Sequence, residues 1–379
     1  MLLEKIQKLH PKFFEYGIII VLLIVGMFFA WSTISYALVK NPITQFIAQK
    51  TAKNTGKSAQ KNNNTTKEIP TTTARKLDGR TVDTKETNNW PVAVMIENLI
   101  TVRPQAGLSQ AAVVYESLVE GGITRFLALF DPQIENIPKI GPVRSVRPYY
   151  VEWAQEYGKG GALLAHAGGS PEALQMIDSD HINDLNQIRG SAPYFWREKG
   201  TPAPHNLFTS SELLQRALHD RNFWDAVPEY VTWNFQDSSE KKQNTDTQNA
   251  KKITINYSSG ISYQVEYQFD ETTKEYLRFN ASRPHMDRNN NQQIRAKNVI
   301  IITIPKILAV GEKGRLTLDI HGEGKVSVAR DGEVIIGTWK KENREDRMKF
   351  LTAEKKDIDL RRGATWIQIV PEDRSVTFE

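Results

Sequence analysis

The 379-residue sequence predicts an α+β fold in which an N-terminal α/β-type domain is followed by a mostly antiparallel β domain, on a single transmembrane helix. Three observations predict this. An uncharged apolar stretch lies near the N-terminus, strand-like and helix-like runs alternate between residues 90 and 235, and strand-like runs follow one another from residue 252 onward. The length suits two hydrophobic cores better than one.

Cysteine is absent from the chain. This excludes disulfides, Fe–S clusters, thiolate zinc sites and a cysteine nucleophile, and it excludes a lipid-modified cysteine as membrane anchor.

The net charge of +5 and the pI near 9.0 would fit a nucleic-acid-binding protein, but the positive charge is confined to the N-terminal region. Residues 1–49 carry +2 and residues 50–89 carry +5, which leaves −2 for residues 90–379. We therefore expect no nucleic acid as a partner.

Residues 16–39 contain no charged side chain and are long enough to cross a bilayer, which needs about 20 apolar residues. A cleaved signal peptide is the alternative, but its apolar core spans only about 7–15 residues before a small-x-small site. A buried helix of a soluble protein is the third option. We predict a short cytoplasmic tail at 1–15 and a membrane-spanning helix at 16–39. The expected location is the cell membrane, single-pass, with the C-terminal part extracytoplasmic.

Residues 40–89 are rich in Thr, Asn and Lys and nearly free of large apolar side chains. Such a composition cannot bury enough surface to order itself, so we predict a disordered basic linker here. Its charge could contact anionic lipid head groups or wall polymers, or it could act only as a solvated spacer.

The N-terminal half, predicted at 90–235, alternates strands with helices. Ser170 before Pro171 is a typical N-cap, and Thr209-Ser210-Ser211-Glu212 is a capping-box pattern, so a helix is expected after each. The other predicted elements are strands at 91–98, 111–122, 123–132 and 161–169 and a helix at 147–158.

A polar, low-complexity segment at 236–251 predicts a joint between two domains. The C-terminal half at 252–379 contains seven strand-like runs, several with clear alternation of apolar and polar residues, and turn signals such as Asp331-Gly332. This pattern is typical of an antiparallel meander or a small barrel.

The segment 139–153 places Arg144 and Arg147 on either side of Ser145 at the start of a predicted helix. Guanidinium groups beside free backbone N–H groups can bind a carboxylate or a phosphate, and Arg103 and Arg125 could join them. The alternative is a structural network in which these arginines pair with glutamates of the apolar strands. Both interpretations stay open at this point.

The sequence His166-Ala-Gly-Gly-Ser170-Pro, which contains Gly168 and Gly169, is similar to an anion-binding helix entrance. It lacks the lysine of a P-loop, so nucleotide binding is not expected. His166 is a candidate general base, although a single histidine at a strand end is commonly structural.

Glu97, Glu116 and Glu120 are candidate catalytic residues, because a pair of carboxylates can hydrolyse a glycosidic bond. The seven histidines lack the short spacings of metal ligands, and the calcium-like Asp287-x-Asn289-x-Asn291 loop lacks the required glycine and glutamate. We expect no metal and no cofactor.

Several blocks of the sequence resemble the YerB-like family, a domain of unknown function (3048) with N- and C-terminal parts. They include PVAVMIEN (91–98), IGPVRSVRPYYVEWA (140–154), HAGGSPEAL (166–174) and GATWIQIVP (363–371). The resemblance covers residues 90–379 and implies a two-domain extracytoplasmic protein of the bacterial envelope. It implies no established reaction and no catalytic residues. Members are described as lipoproteins, so a chain without cysteine would be held by residues 16–39 instead.

These observations together predict a non-enzymatic binding or accessory module for cell-wall synthesis machinery or an anionic wall polymer. Arg144 and Arg147 are the expected contact residues. The alternative is an envelope hydrolase that uses paired carboxylates with His166 on a wall glycan or peptide. Convergence of two carboxylates and His166 in one open cleft would favour the hydrolase.

Overall fold

The computed structural model describes residues 72–86, 88–237, 246–305, 307–310 and 314–379. The predicted tail at 1–15 and the predicted membrane segment at 16–39 lie outside these residues. Strands β1 to β12 are Thr72–Ala74, Thr81–Asp83, Val92–Glu97, Val113–Leu118, Thr124–Phe130, Leu163–His166, Asp184–Asn186, Trp196–Arg197, Leu207–Phe208, Phe235–Gln236, Gln248–Asn249 and Lys252–Asn256. Strands β13 to β25 are Gln264–Asp270, Glu275–Asn280, Arg283–Pro284, Arg295–Ala296, Asn298–Ile304, Leu308–Val310, Arg315–Thr317, Gly322–Arg330, Glu333–Lys341, Lys349–Leu351, Leu360–Arg361, Thr365–Pro371 and Val376–Phe378. The helices are α1 at Pro148–Gln155, α2 at Pro171–Ser179 and α3 at Ser211–Asp220.

A mixed sheet of 11 strands forms the centre of the fold, in the order β11-β21-β20-β17-β24-β4-β5-β3-β6-β7, with β22 also paired to β21. Strand β24 comes from the C-terminal end of the chain but inserts between β17 and β4, parallel to both. The N-terminal strands β4, β5 and β3 then continue the sheet in antiparallel pairing. One sheet therefore contains strands from both predicted halves.

A second, antiparallel sheet of six strands contains β12 to β16 and β25. Its apolar side packs on one face of the central sheet together with α3, while α1 and α2 cover the other face. Strand β3 shows the consequence: Val94 and Ile96 belong to the first core and Met95 to the second. A strand covered on both faces reads as a continuous apolar run, as it does here.

The helices are short and their starts follow from the sequence. The Ser170 side chain accepts a hydrogen bond from the backbone N–H of Ala173, as predicted. The helix predicted from the capping box at 209–212 is present, but its cap is Ser210, which accepts from the N–H of Leu213, and not Thr209. Strands β4 and β5 form an antiparallel hairpin around Gly121-Gly122.

The predicted α+β class is wrong. The described residues are mostly β, with three α-helices of 8 to 10 residues beside a large mixed sheet. Alternation of short helices with strands suggested a separate α/β domain, but local patterns do not reveal that β24 pairs with β4. The predicted division at 236–251 stays a prediction.

The predicted single transmembrane helix is likewise not supported, since none of the helices in the described ranges is both long and apolar enough to cross a membrane.

The predicted disordered linker at 40–89 extends too far. Strands β1 and β2 pair within it, and the Arg75 side chain between them is 3% exposed. Arg75 Nη2 lies 2.6 Å from Asp78 Oδ2 and 3.0 Å from Glu135 Oε1. A buried, fully paired arginine offsets the low apolar content on which the prediction of disorder depended.

Candidate functional site

The candidate site lies at one edge of the central sheet, where three parallel strands end. Strands β3, β6 and β7 are neighbours in parallel pairing and end at Glu97, His166 and Asn186. The carboxyl ends of parallel strands meet at a common edge, which is where open sheets that contain parallel strands tend to bind ligands.

The segment 141–147 crosses this edge and is fixed to it by backbone hydrogen bonds. Arg144 N–H donates to the carbonyl of Met95 on β3, and Val146 N–H donates to the carbonyl of Gly168 after β6. The side chains of Arg144, Ser145 and Arg147 are thereby held close to the strand ends.

Arg144 and His205 share the carboxylate of Glu97. Arg144 Nε lies 3.1 Å from Glu97 Oε1, and His205 Nδ1 lies 2.9 Å from Oε2. The glutamate is buried, whereas Arg144 and His205 retain 22% and 27% exposure of their side chains. Arg144 thus presents a positive group to solvent above a buried acid, with the His205 imidazole beside it.

Arg147 donates two parallel hydrogen bonds to Glu120, from Nε to Oε1 at 2.6 Å and from Nη2 to Oε2 at 2.8 Å. Burial alone would raise the pKa of the Glu120 carboxyl, but the interaction with Arg147 holds this pKa below its usual range. Glu120 is therefore ionised at neutral pH and neutralises Arg147.

Arg125 is different, because it has no carboxylate partner. Its side chain is 4% exposed, and Nη1 donates to the Ser145 carbonyl at 2.5 Å and to the Ser145 hydroxyl at 3.3 Å. No ion pair joins it to a carboxylate of the described residues, and burial, followed by repulsion from Arg147 and Arg144, lowers its pKa to about 10. The charged guanidinium group of Arg125 is therefore buried, and its hydrogen-bond acceptors are uncharged.

Ser145 links two of these arginines, since its hydroxyl also accepts a hydrogen bond from Arg147 Nη1 at 3.2 Å. We call Arg125, Arg144, Ser145 and Arg147 the arginine cluster. Its three guanidinium groups face the two carboxylates of Glu97 and Glu120. One positive charge in the cluster therefore stays uncompensated.

Arg103, the fourth predicted arginine, lies apart from this cluster. It donates to the side chain and carbonyl of Asn98 and to the carbonyl of Ser262, and its guanidinium lies 5.0 Å from the ring centre of Tyr263. It joins the central sheet to the second sheet.

The His166 turn is a structural part of the same edge. The buried imidazole has the Gly168 carbonyl at 2.8 Å from Nδ1 and Asp184 Oδ1 at 2.7 Å from Nε2. Gly168 has φ of 66° and donates its N–H to the Asn186 side chain. With both ring nitrogens engaged by acceptors, His166 holds the turn at 168–170 and is not free to act as a base.

The candidate catalytic carboxylates do not converge. Each pairs with a different arginine: Glu97 with Arg144, Glu120 with Arg147 and Glu116 with Arg278. Glu116 and Arg278 are fully buried, with Nη2 of the arginine 2.6 Å from Oε2 of the glutamate. The structural Arg–Glu alternative therefore describes Arg144 and Arg147, whereas Arg103 and Arg125 form no ion pair with a carboxylate of the described residues and Glu116 pairs with Arg278 instead.

Three residues at these sites were missed by sequence reasoning: His205, Asp184 and Arg278. Alternation along β14 gave no signal for Arg278, because it would place the apolar Leu277 and Phe279 inward, whereas the structure buries Tyr276, Arg278 and Asn280. His205 lies in a loop without such a pattern.

Within the described ranges, no group of three or more His, Asp or Glu side chains could hold a metal ion. The Asp287 carboxylate in the calcium-like loop accepts hydrogen bonds from the backbone N–H groups of Gly107, Ser109 and Asn289. It joins the second sheet to the segment that precedes β4.

With this geometry established, comparison with known proteins identifies the family. The model for the protein of unknown function DUF3048, N-terminal domain, matches residues 77–224, and the model for the DUF3048 C-terminal domain matches residues 253–367. The chain belongs to the DUF3048 family. The resemblance to YerB-like proteins is thereby confirmed.

One similar DUF3048 protein is "Putative lipoprotein YerB" of Bacillus subtilis (strain 168), which is 30% identical over 297 residues, or 78% of this chain and 86% of that protein. The crystal structure of YerB from Bacillus subtilis matches with a TM-score of 0.68 at 29% identity, covering 80% of this chain and 99% of that one. The likeness therefore extends through both family parts.

Proposed function

We propose that this protein is an extracytoplasmic, membrane-associated binding module of the cell envelope that takes an anionic group of a wall polymer at the arginine cluster. The envelope location rests on the name of the relative, which describes a lipoprotein. The binding of an anion rests on Arg125, a buried guanidinium without a carboxylate partner beside two further guanidinium groups.

An anion would supply the negative charge that the arginine cluster lacks. Isolated charges are costly to bury, and three guanidinium groups near two carboxylates leave one positive charge to be balanced. Arginine presents a planar fork that fits the oxygens of phosphate or carboxylate. The partial exposure of Arg144 and Arg147 gives such a group access from solvent.

The supporting experiment measures binding of the purified protein to poly(glycerol phosphate), with neutral dextran as the control polymer, by titration calorimetry at fixed ionic strength. We expect binding to the phosphate polymer alone. Replacement of both Arg144→Gln and Arg147→Gln should weaken it by at least about tenfold, because each lost charged hydrogen bond costs roughly 1.5–3 kcal/mol.

The matched control is Arg295→Gln, which removes an exposed arginine on β16 of the second sheet that pairs with Asp270. It should bind as the unchanged protein does. Equal binding by the double variant, or equal binding to dextran, would contradict the proposal. A large fall in melting temperature of the double variant would instead identify the arginines as structural, and Arg125→Lys, which keeps the charge but not the fork, then separates the two roles.

A further inference from the structure

A second positively charged feature lies at the other end of the central sheet, in the turn between β21 and β22. Arg347 in this turn has a side chain that is only 2% exposed. Its guanidinium carbon lies 3.6 Å from the ring centre of Trp233 and 4.1 Å from that of Tyr157. The Trp233 ring is itself fixed, because its Nε1–H donates to the Met348 carbonyl at 2.8 Å.

No nitrogen of this guanidinium donates a well-aligned hydrogen bond within the described part of the chain, although the Tyr157 hydroxyl lies close enough to interact with it. The nearest carboxylate oxygen, Glu156 Oε2, is 3.6 Å from Nη1, which is beyond hydrogen-bond distance. That oxygen already accepts a hydrogen bond from the Tyr115 hydroxyl at 3.1 Å.

Glu156 is also the partner of a second buried cation. Lys341 Nζ lies 3.0 Å from Glu156 Oε1, and both side chains are 0% exposed. Lys341 Nζ also donates hydrogen bonds to the carbonyls of Arg344 and Asp346, at 2.8 and 2.6 Å. Two buried cations therefore share one carboxylate, which leaves a net positive charge in a region of low dielectric constant.

A cavity of about 230 Å³ opens beside this charge. It is lined by Val231, Lys340, Lys341, Glu342, Asp346, Arg347 and Lys349. We call it the Arg347 pocket. It is much larger than the space that one water molecule requires.

The lining adds two more cations, Lys340 and Lys349, together with two carboxylates, Glu342 and Asp346. Lys340 on β21 and Lys349 on β22 are directly opposite each other in the antiparallel register, so their side chains leave the same face of the sheet. Like charges in directly opposed positions are unfavourable by themselves. Lys340 has Glu342 at 2.6 Å, and Lys349 is exposed.

We propose that the Arg347 pocket binds a phosphate group, as free phosphate or as a phosphomonoester. The ligand sits in the cavity, with the ammonium groups of Lys340 and Lys349 as its contacts and the buried charge of Arg347 and Lys341 behind it. Tyr157 and Trp233 hold the guanidinium by cation–π contact but supply no negative charge, so an anion in the cavity completes the balance. This site goes beyond the arginine cluster and shares no residue with it.

The test is titration calorimetry of the full-length chain with inorganic phosphate and, in a second arm, with glycerol 3-phosphate, against sodium chloride at the same ionic strength. Phosphate should bind with saturation and chloride should not. The double variant Lys340→Ala/Lys349→Ala should weaken binding by roughly tenfold or more. Lys199→Ala, which removes an exposed lysine from the loop between β8 and β9, should leave it unchanged.

Arg347→Met should abolish binding, and Arg347→Lys should retain part of it. Wild-type affinity in the double lysine variant, or an equal effect of chloride, overturns the proposal. If the Arg347→Met variant does not fold, binding by the Lys340→Ala/Lys349→Ala variant still tests the proposal. Stronger binding of glycerol 3-phosphate than of phosphate identifies a phosphomonoester as the ligand, and the reverse identifies the free ion. Because Arg144→Gln/Arg147→Gln leaves this pocket intact, failure here is distinguishable from failure at the arginine cluster.

Discussion

Arg278 and Arg347 are two buried arginines that stand in contrasting surroundings. Both lie against aromatic rings, Arg278 at 4.6 Å from Trp366 and Arg347 at 3.6 Å from Trp233. Arg278 also has its own carboxylate, Glu116 at 2.6 Å, and it contacts the Tyr267 hydroxyl and His285. Arg347 has no carboxylate within hydrogen-bond distance among the described residues, and the Glu156 oxygen that lies 3.6 Å from it is the nearest. The same side chain thus serves as a structural link in one place and carries unbalanced charge in the other.

The surroundings of Arg278 extend across the contact between the two sheets. His285 Nε2 lies 2.8 Å from Gln105 Oε1, and the Gln105 amide donates to the Glu97 carbonyl and the Asn98 side chain. The Glu116 carboxylate also accepts hydrogen bonds from Thr124 and Asn98. A network in which every member is paired fixes one arrangement of the sheets, and the loss of one member leaves its partners buried and unpaired.

The largest expected effect is therefore at Arg278. Arg278→Met should lower the free energy of unfolding by about 3–5 kcal/mol, because it leaves the fully buried Glu116 carboxylate without its cation. Urea denaturation, monitored by fluorescence, measures this change in the free energy of unfolding. The double variant with Glu116→Gln should recover part of the loss, since it removes the orphaned charge as well. A loss of less than about 1 kcal/mol would contradict the structural role.

Arg75 extends the comparison to a third buried arginine. It resembles Arg278, with Asp78 at 2.6 Å, Glu135 at 3.0 Å and Asp131 at 3.5 Å. A chain that begins at residue 90 lacks Arg75 and should be less stable by roughly 3 kcal/mol than one that begins at residue 72, because Asp131 and Glu135 lose their cation. Thermal unfolding of the two chains compares them. Equal melting temperatures would show that β1 and β2 contribute nothing to the fold.

The next effect is a dependence on pH at His285. Burial, with repulsion from Arg278 and Arg103, lowers the pKa of His285 well below 6.5. The unfolded chain takes up a proton near pH 6.5 while the folded chain does not, so stability is full above that pH and falls as the pH falls. The loss should reach about 1.4 kcal/mol per pH unit below 6.5.

His285→Gln should remove this part of the loss of stability at low pH, whereas His219→Gln, at an exposed histidine of α3, should not. The comparison between variants is needed because Asp131 acts in the opposite direction. Burial raises the Asp131 pKa to about 6, so its contribution to stability is lost as the pH rises between roughly 4 and 6. An identical pH profile for His285→Gln and the unchanged protein would show that His285 is not buried as a neutral group.

Local patterns predicted the elements but not how they assemble. The apolar run at 91–98, the cap at Ser170 and the helix start near 209–212 depend on neighbours within a few residues, and each is present, the last with its cap one residue later than predicted. The insertion of β24 beside β4 joins residues about 250 positions apart, and no periodicity encodes it. The fold class was therefore wrong although many of its strands were placed correctly.

The candidate site was predictable to a similar extent. Arg144, Ser145 and Arg147 stay together because they occupy one short segment, and Arg125 joins them because β5 pairs with β3 in a register that places it opposite Glu97. Arg103 was grouped with them by composition alone, and the structure separates it. His205 reaches Glu97 from a loop more than 100 residues away, which no local signal reports.

The smallest expected effect on stability returns to Arg347. Arg347→Met keeps an unbranched apolar side chain between Trp233 and Tyr157 and removes the excess positive charge, while Lys341 keeps Glu156 as its partner. The free energy of unfolding in phosphate-free buffer should therefore change by less than about 1 kcal/mol, in contrast to Arg278→Met. Urea denaturation of both variants under the same conditions makes the comparison. A loss at Arg347 as large as that at Arg278 would mean that stacking alone holds this turn. A small loss would show that the guanidinium adds little to folding, as the proposed binding role of Arg347 requires.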